Sequence, residues 1–99
     1  MKIRHVRFLD TANADMTAIF DWIVEASGHS TVAQNFILRI YDRCEQLADF
    51  PEIGVVRDDL VLGIRMLAFE RRASIFYRIT EGEVQITNVL YRGRDYDSI

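Results

Sequence analysis

The spacing of apolar residues changes once along this chain, and that change limits the folds it can adopt. Between residues 12 and 48, apolar side chains recur every three or four positions, as they do on one face of a helix. From residue 64 onwards they alternate with other residues, which is the period of a strand. A chain of 99 residues forms one domain, so the helices and strands must share a single core.

The first predicted helix covers residues 12–26. Its apolar face consists of Met16, Ile19, Phe20 and Ile23, and Trp22 is expected in the core beside them. Asp10 or Thr11 is expected to cap its start, because a short polar side chain can accept a hydrogen bond from a free backbone N–H. Gly28 is expected to end the helix, because glycine readily adopts the left-handed conformation.

The second predicted helix begins at Ser30 or Thr31 and ends near Asp49. Thr31 followed by Gln34 matches a capping box. Pro51 stops the helix, because proline disfavours helical geometry in the residue before it. The short turn between the two helices predicts an αα-hairpin.

Strands are predicted at residues 3–9, 64–69, 75–79 and 84–91, with a loop over residues 51–62. The last three strands follow one another closely, with a turn at Glu81 and Gly82, so they should form an antiparallel meander. The predicted fold is α+β in the order β-α-α-β-β-β, a small antiparallel sheet packed on the αα-hairpin in one domain of residues 1–99. Apolar residues on both sides of two strands indicate that the second sheet face is partly covered.

Composition and charge narrow the range of functions. The net charge is −3 with a pI near 5.3, whereas proteins that grip nucleic acid usually carry a basic excess. We therefore expect no direct nucleic-acid binding.

No apolar run reaches the roughly 20 residues that span a bilayer. A cytoplasmic protein without a membrane contact is expected, and the single Cys44 agrees with a reducing compartment. Cys44 is expected to be a buried helix residue.

Five segments together resemble one family. They are residues 19–23 (Ile-Phe-Asp-Trp-Ile), 50–54 (Phe-Pro-Glu-Ile-Gly), 63–65 (Gly-Ile-Arg), 75–79 (Ile-Phe-Tyr-Arg-Ile) and 89–95 (Val-Leu-Tyr-Arg-Gly-Arg-Asp). In this order they resemble the ParE branch of the RelE/ParE toxin superfamily, whose members share the β-α-α-β-β-β order.

This resemblance implies a bacterial type II toxin–antitoxin module of the kind that stabilises plasmids. The partner would be a ParD-like, ribbon-helix-helix antitoxin that wraps its C-terminal segment over the toxin in a hetero-oligomer. The implied action is inhibition of DNA gyrase by protein–protein binding. The alternative is a RelE-like, ribosome-dependent mRNA endoribonuclease, and a third interpretation is a toxin that has lost its activity.

The candidate contacts for the target or partner are Arg65, Arg78, Tyr91, Arg92, Arg94 and Asp95. For the first two arginines, a structural salt bridge with Glu52, Glu83 or Asp95 is an equal alternative. The nuclease alternative would use Tyr91, Arg92 and Arg94. Two departures weigh against it: Ser74 stands where those nucleases are expected to have a basic residue, and a tyrosine of ordinary pKa is a poor base.

The sequence indicates no cofactor and no metal site. Asp58 and Asp59 are adjacent, but neighbouring acids in a loop are usually solvated rather than bound to a cation. Arg71 and Arg72 lie between two predicted strands and are interpreted as a charged hairpin tip.

Overall fold

The computed structural model describes residues 4–91. Its elements in chain order are β1 (His5–Phe8), α1 (Asp10–Ser27), α2 (Ser30–Glu45), a short 3-10 helix (Gln46–Ala48), β2 (Val55–Val56), β3 (Arg65–Phe69), β4 (Ala73–Thr80) and β5 (Glu83–Tyr91). The α+β class and the order of the predicted elements are confirmed. Arg92, Arg94 and Asp95, which the sequence singled out, lie outside the described residues.

Helix α1 begins without a side-chain cap. Leu9 occupies the N-cap position, and Asp10 lies within the first turn, where its negative charge favours the helix dipole. The predicted capping by Asp10 or Thr11 is therefore wrong; the Thr11 hydroxyl donates instead to the carbonyl of Thr87. Gly28 ends the helix as predicted, with φ of 77° and its N–H donating to the Val24 carbonyl.

Helix α2 also begins without a side-chain cap. His29 is the N-cap residue, so Thr31 lies inside the helix and the predicted capping box with Gln34 does not form. The helix tightens into the 3-10 helix after Glu45, ahead of Pro51, close to the predicted end. Within residues 4–91, neither helix is long and apolar enough to cross a membrane.

The sheet has five strands in the order β1-β5-β4-β3-β2. The meander from β3 to β5 is antiparallel, as predicted. Strand β1, however, pairs parallel with β5, with Val6 opposite Val84, so the sheet is mixed rather than wholly antiparallel. Strand β2 pairs antiparallel with β3 and lies inside the segment predicted as a loop.

Both faces of the sheet carry apolar clusters, as the sequence predicted. The larger cluster lies between the sheet and the two helices and includes Phe36, Ile40, Leu47, Ile75, Tyr77 and Ile86. The smaller cluster lies on the opposite face, where Leu60 and Met66 pack against Ile64, Phe76 and Leu90. Cys44 is fully buried in the larger cluster, and burial raises its pKa to about 12.

Candidate partner-binding site

Exposed apolar side chains are concentrated in one segment of the chain. Among residues 4–91, the large apolar side chains exposed between positions 50 and 62 are Phe50, Ile53, Val55, Val56, Val61 and Leu62. Leu62 is 87% exposed and Phe50 is 68% exposed. We call residues 50–62 the apolar segment. Because large exposed apolar side chains often mark sites where another macromolecule binds, this segment is the candidate partner-binding site.

Tyr77 ties the start of the apolar segment to the sheet. Its hydroxyl accepts a hydrogen bond from the Gly54 N–H at 2.7 Å and donates one to the Pro51 carbonyl at 2.7 Å. The side chain comes from the centre of β4 and is fully buried, and this burial raises the pKa of the phenol above its ordinary value. One buried hydroxyl thus satisfies two backbone groups of the segment.

Gly54 is required here by the close approach of Tyr77. A Cβ at this position would lie 2.5 Å from the hydroxyl oxygen of Tyr77 and 2.7 Å from Cε1 of its ring. Because the ring is enclosed in the core, it has no room to move away. The glycine therefore allows the backbone to rest on the tyrosine.

Arg65 provides a second tie to the same segment. Its Nη1 donates to the carbonyl of Gly54 at 2.8 Å and to the carbonyl of Glu52 at 3.2 Å. Arg65 lies opposite Tyr77 in the β3–β4 register, so the two side chains act as neighbours. Arg65 thus contacts the backbone of Glu52 rather than its carboxylate, and its predicted role as a partner contact stays a prediction.

These two ties connect three of the motifs seen in the sequence. Carbonyl groups of the Phe-Pro-Glu-Ile-Gly loop accept hydrogen bonds from the arginine of Gly-Ile-Arg. The tyrosine of Phe-Tyr-Arg accepts one hydrogen bond from the loop and donates another to it. The backbone polar groups of the loop therefore point inward, while the side chains of Phe50 and Ile53 are exposed. A cleft of about 370 Å³ is lined by Asp49, Phe50, Pro51, Glu52 and Ile53.

The far half of the apolar segment is held by its own polar residues. Arg57 forms a two-pronged ion pair with Asp59 at 2.9 Å, and this contact lowers the pKa of that carboxyl. Asp58 accepts a hydrogen bond from the Gly63 N–H at 2.8 Å. Both acids thus serve the loop itself. Across residues 4–91, no three acidic, histidine or cysteine side chains are grouped as a metal site would need.

Arg78 lies on the sheet face opposite the helices, in a row of polar side chains. Its Nε donates to Gln85 at 2.7 Å, and Gln85 donates to Glu83 at 2.6 Å. Glu83 also pairs with Arg7 at 3.2 Å. The hydrogen bond from Gln85, followed by that from Arg7, lowers the pKa of Glu83. Arg78 remains exposed at the end of this row, and its predicted role as a contact stays a prediction.

Tyr91 lies inside the molecule. It is 6% exposed and packs edge-on against Trp22 at 5.1 Å and Phe36 at 5.6 Å. Trp22, expected in the core, covers it from outside and is itself 36% exposed. Ser74 lies opposite Leu90 in the neighbouring strand. The ring of Tyr91 therefore lies in the core, and the predicted roles of Tyr91 as a contact or a base stay predictions.

The sequence reasoning did not identify Tyr77 or the exposed side chains of the apolar segment. Tyr77 and Gly54 are 23 residues apart, so no local pattern joins them. The available signal was the pair of valines followed by Val61 and Leu62 in a predicted loop, where apolar residues are unusual unless they bind something.

Comparisons with known proteins identify the family. The sequence profile of the ParE toxin of the type II toxin–antitoxin system parDE matches residues 6–96. The chain resembles a solved chain of the chromosomal ParDE toxin–antitoxin system from P. aeruginosa, with 27% identity, a TM-score of 0.79, and coverage of 90% of this chain and 96% of that one.

A second solved structure shares the fold alone. It is a chain of the toxin–antitoxin complex RelBE2 from Mycobacterium tuberculosis, with 20% identity, a TM-score of 0.66, and coverage of 91% of this chain and 99% of that one. A comparison with curated protein sequences gives no match. The profile match spans nearly the whole chain and includes every motif noted above, and the chain therefore belongs to the ParE toxin family of type II toxin–antitoxin systems.

Proposed function

We propose that this protein is a toxin that acts by binding another protein, with DNA gyrase as its target, and that a ParD-like antitoxin neutralises it. The observation that supports this proposal best is the apolar segment, because exposed apolar side chains suit a protein partner rather than a phosphate backbone. The ParDE system that the chain resembles pairs a toxin with an antitoxin.

The apolar segment is the proposed antitoxin site. Its backbone carbonyls at Pro51, Glu52 and Gly54 accept hydrogen bonds from within the toxin, so the segment offers a firm apolar surface. An amphipathic segment of the antitoxin would cover Phe50 and Ile53 and remove their apolar area from water. The isolated toxin would then self-associate, and co-expression with the antitoxin would keep it soluble.

Charge substitution tests this site. Phe50→Asp together with Ile53→Asp should weaken antitoxin binding by at least about tenfold, because the antitoxin would have to bury two carboxylates. Leu38→Asp is the matched control, since Leu38 is 51% exposed on α2, outside the apolar segment. Equal affinities for the two variants, measured by calorimetric titration of folded proteins, would place the antitoxin elsewhere.

The contacts of Tyr91 and Arg65 also favour a protein target over cleavage of RNA. A nuclease needs a group that moves a proton and a cation near the phosphate. Tyr91 packs in the core, and Arg65 donates its hydrogen bonds to loop carbonyls. The cleavage alternative would therefore depend on residues beyond Tyr91, chiefly Arg92 and Arg94.

A supercoiling assay with purified DNA gyrase is the decisive experiment. The proposal predicts that the toxin inhibits supercoiling and that added antitoxin restores it. Cleavage of ribosome-bound message by a toxin that leaves gyrase unaffected would instead establish the endoribonuclease alternative. Growth that continues during expression of the toxin alone would identify a copy that has lost its activity.

A further inference from the structure

The turn between β3 and β4 has an unusual backbone. Glu70 and Arg71 have φ angles of 50° and 57°, and the Arg72 N–H closes the turn on the Phe69 carbonyl at 3.0 Å. Positive φ at both central positions is the mark of a type I′ turn, which usually contains Asn-Gly because a Cβ is disfavoured there. Because two long charged side chains occupy these disfavoured positions, we infer that the side chains themselves have a function.

An ion pair holds this turn against α2. The Glu70 carboxylate accepts hydrogen bonds from Nε and Nη2 of Arg39 at 2.8 and 2.9 Å. This fork-to-fork arrangement fixes direction as well as distance. The hydrogen bond from Arg39 also lowers the pKa of the Glu70 carboxyl. The only acidic side chain of the turn is therefore already engaged.

Three arginines belong to this turn or face it from α2. The guanidinium groups of Arg39 and Arg72 lie 5.5 and 5.9 Å from the centre of the Phe36 ring, which orients both of them. Arg71 is exposed and makes no hydrogen bond or ion pair with any other residue between 4 and 91. We call Arg39, Arg71 and Arg72 the arginine anchor: Arg39 and Arg72 lie near the Glu70 carboxylate, and Arg71 is the exposed residue between Glu70 and Arg72.

We propose that the arginine anchor binds an acidic segment of the target protein, through the carboxylates of its aspartate and glutamate side chains. Guanidinium groups match carboxylates in shape, and groups held in place lose little freedom on binding. A nucleic acid is a poorer fit, because the chain carries a net charge of −3, whereas proteins that bind a phosphate backbone usually carry a basic excess.

The position of the anchor favours the target over the antitoxin. The anchor lies at the Phe69 end of β3, whereas the apolar segment is tied to Arg65 at the other end. The two ends of this five-residue strand are about 13 Å apart, so the anchor lies outside the apolar segment proposed for the antitoxin. This division of surfaces rests on the proposed function, in which antitoxin and target are different proteins.

Charge reversal tests the anchor in cells and in solution. Arg71→Glu, alone and combined with Arg72→Glu, should reduce growth arrest and weaken target binding by at least about tenfold, while antitoxin affinity stays unchanged. Arg43→Glu is the matched control, because this α2 arginine lies outside the anchor and hydrogen-bonds to Gln46. Circular dichroism verifies folding, and the single variant removes no described contact. Toxicity and binding equal to the control would overturn the proposal.

A second measurement does not depend on toxicity. Labelled oligoglutamate, oligoglutamine of equal length and oligothymidylate are titrated into the full-length toxin and its variants at low salt. The proposal predicts that oligoglutamate binds best and that Arg71→Glu weakens it at least about tenfold, with Arg43→Glu near wild type. Preference for oligothymidylate, or oligoglutamate binding that Arg71→Glu leaves unchanged, would overturn the anchor even if gyrase proved not to be the target.

Discussion

Replacing Tyr77 by phenylalanine should destabilise the protein far more than loss of one oxygen atom suggests. The change leaves the buried Gly54 N–H without an acceptor, which costs about 1–3 kcal/mol. It also removes the donor to the Pro51 carbonyl, an ordinary hydrogen bond worth about 0.5–1.5 kcal/mol. We therefore expect the free energy of unfolding to fall by about 1.5–4.5 kcal/mol in total.

Thermal and urea unfolding measure this loss directly. For a domain of this size, 1 kcal/mol corresponds to about 4–8 °C, so the midpoint should fall by roughly 6–36 °C. Tyr41→Phe is the control: its ring packs at a tilt against that of Phe8, with 4.7 Å between the ring centres, but its hydroxyl forms no hydrogen bond within residues 4–91. That change should stay within about 0.5 kcal/mol. Equal stability of the two variants would refute the reasoning that Tyr77 supports the loop.

Gly54→Ala extends the same test into a double-mutant cycle. The added methyl group meets the enclosed Tyr77 ring and should cost about 1–3 kcal/mol or more. In the Tyr77→Phe background the nearest atom, the hydroxyl oxygen, is gone, so the same change should cost less. A coupling free energy of at least about 0.5 kcal/mol is expected. Additive effects would mean that the two residues are not in contact.

Three further predictions concern other groups. Burial raises the pKa of Tyr77, so its protonated form is favoured by folding; the stability difference between wild type and Tyr77→Phe should be complete below pH 10 and shrink above it, as alkaline denaturation curves would reveal. Cys44, with a pKa raised to about 12, should resist alkylation at pH 8 in the native protein and react once urea unfolds it, as mass spectrometry would detect. Arg71→Gly should raise the unfolding free energy by up to about 1 kcal/mol by relieving the positive φ, whereas Arg72→Gly, without positive φ, should give no gain in denaturation measurements.

The elements with strong periodicity were predictable from the sequence, and their pairing was only partly so. Alternation in residues 64–91 and the Glu81-Gly82 turn predict a meander because neighbouring strands with short connections pair antiparallel. Alternation cannot show that β1 crosses to β5 and joins it in parallel, because the helices between them permit either edge of the sheet. The two residues of β2 are too few to establish a period.

Capping and the candidate site show where local patterns fail. Thr31 and Gln34 have the spacing of a capping box, in which the threonine must be the N-cap residue. The helix instead begins at Ser30 with His29 as its N-cap, so Thr31 lies inside the helix and cannot cap it. Arg65 was recognised as a choice between a salt bridge and a contact, yet its partners are carbonyl groups, which no charge pattern reveals. The apolar segment depends on which side chains the fold leaves outside, and that is a property of the assembled structure.

The parallel pairing of β1 with β5 has a consequence for synthesis of the protein. Residues that contact each other across these two strands, such as Arg7 and Glu83, are 76 positions apart in the sequence. The sheet therefore cannot close until almost the whole chain has left the ribosome. Until then the αα-hairpin lacks the strand against which much of its apolar face packs. A nascent chain that stops before β5 therefore lacks the strand that pairs with β1.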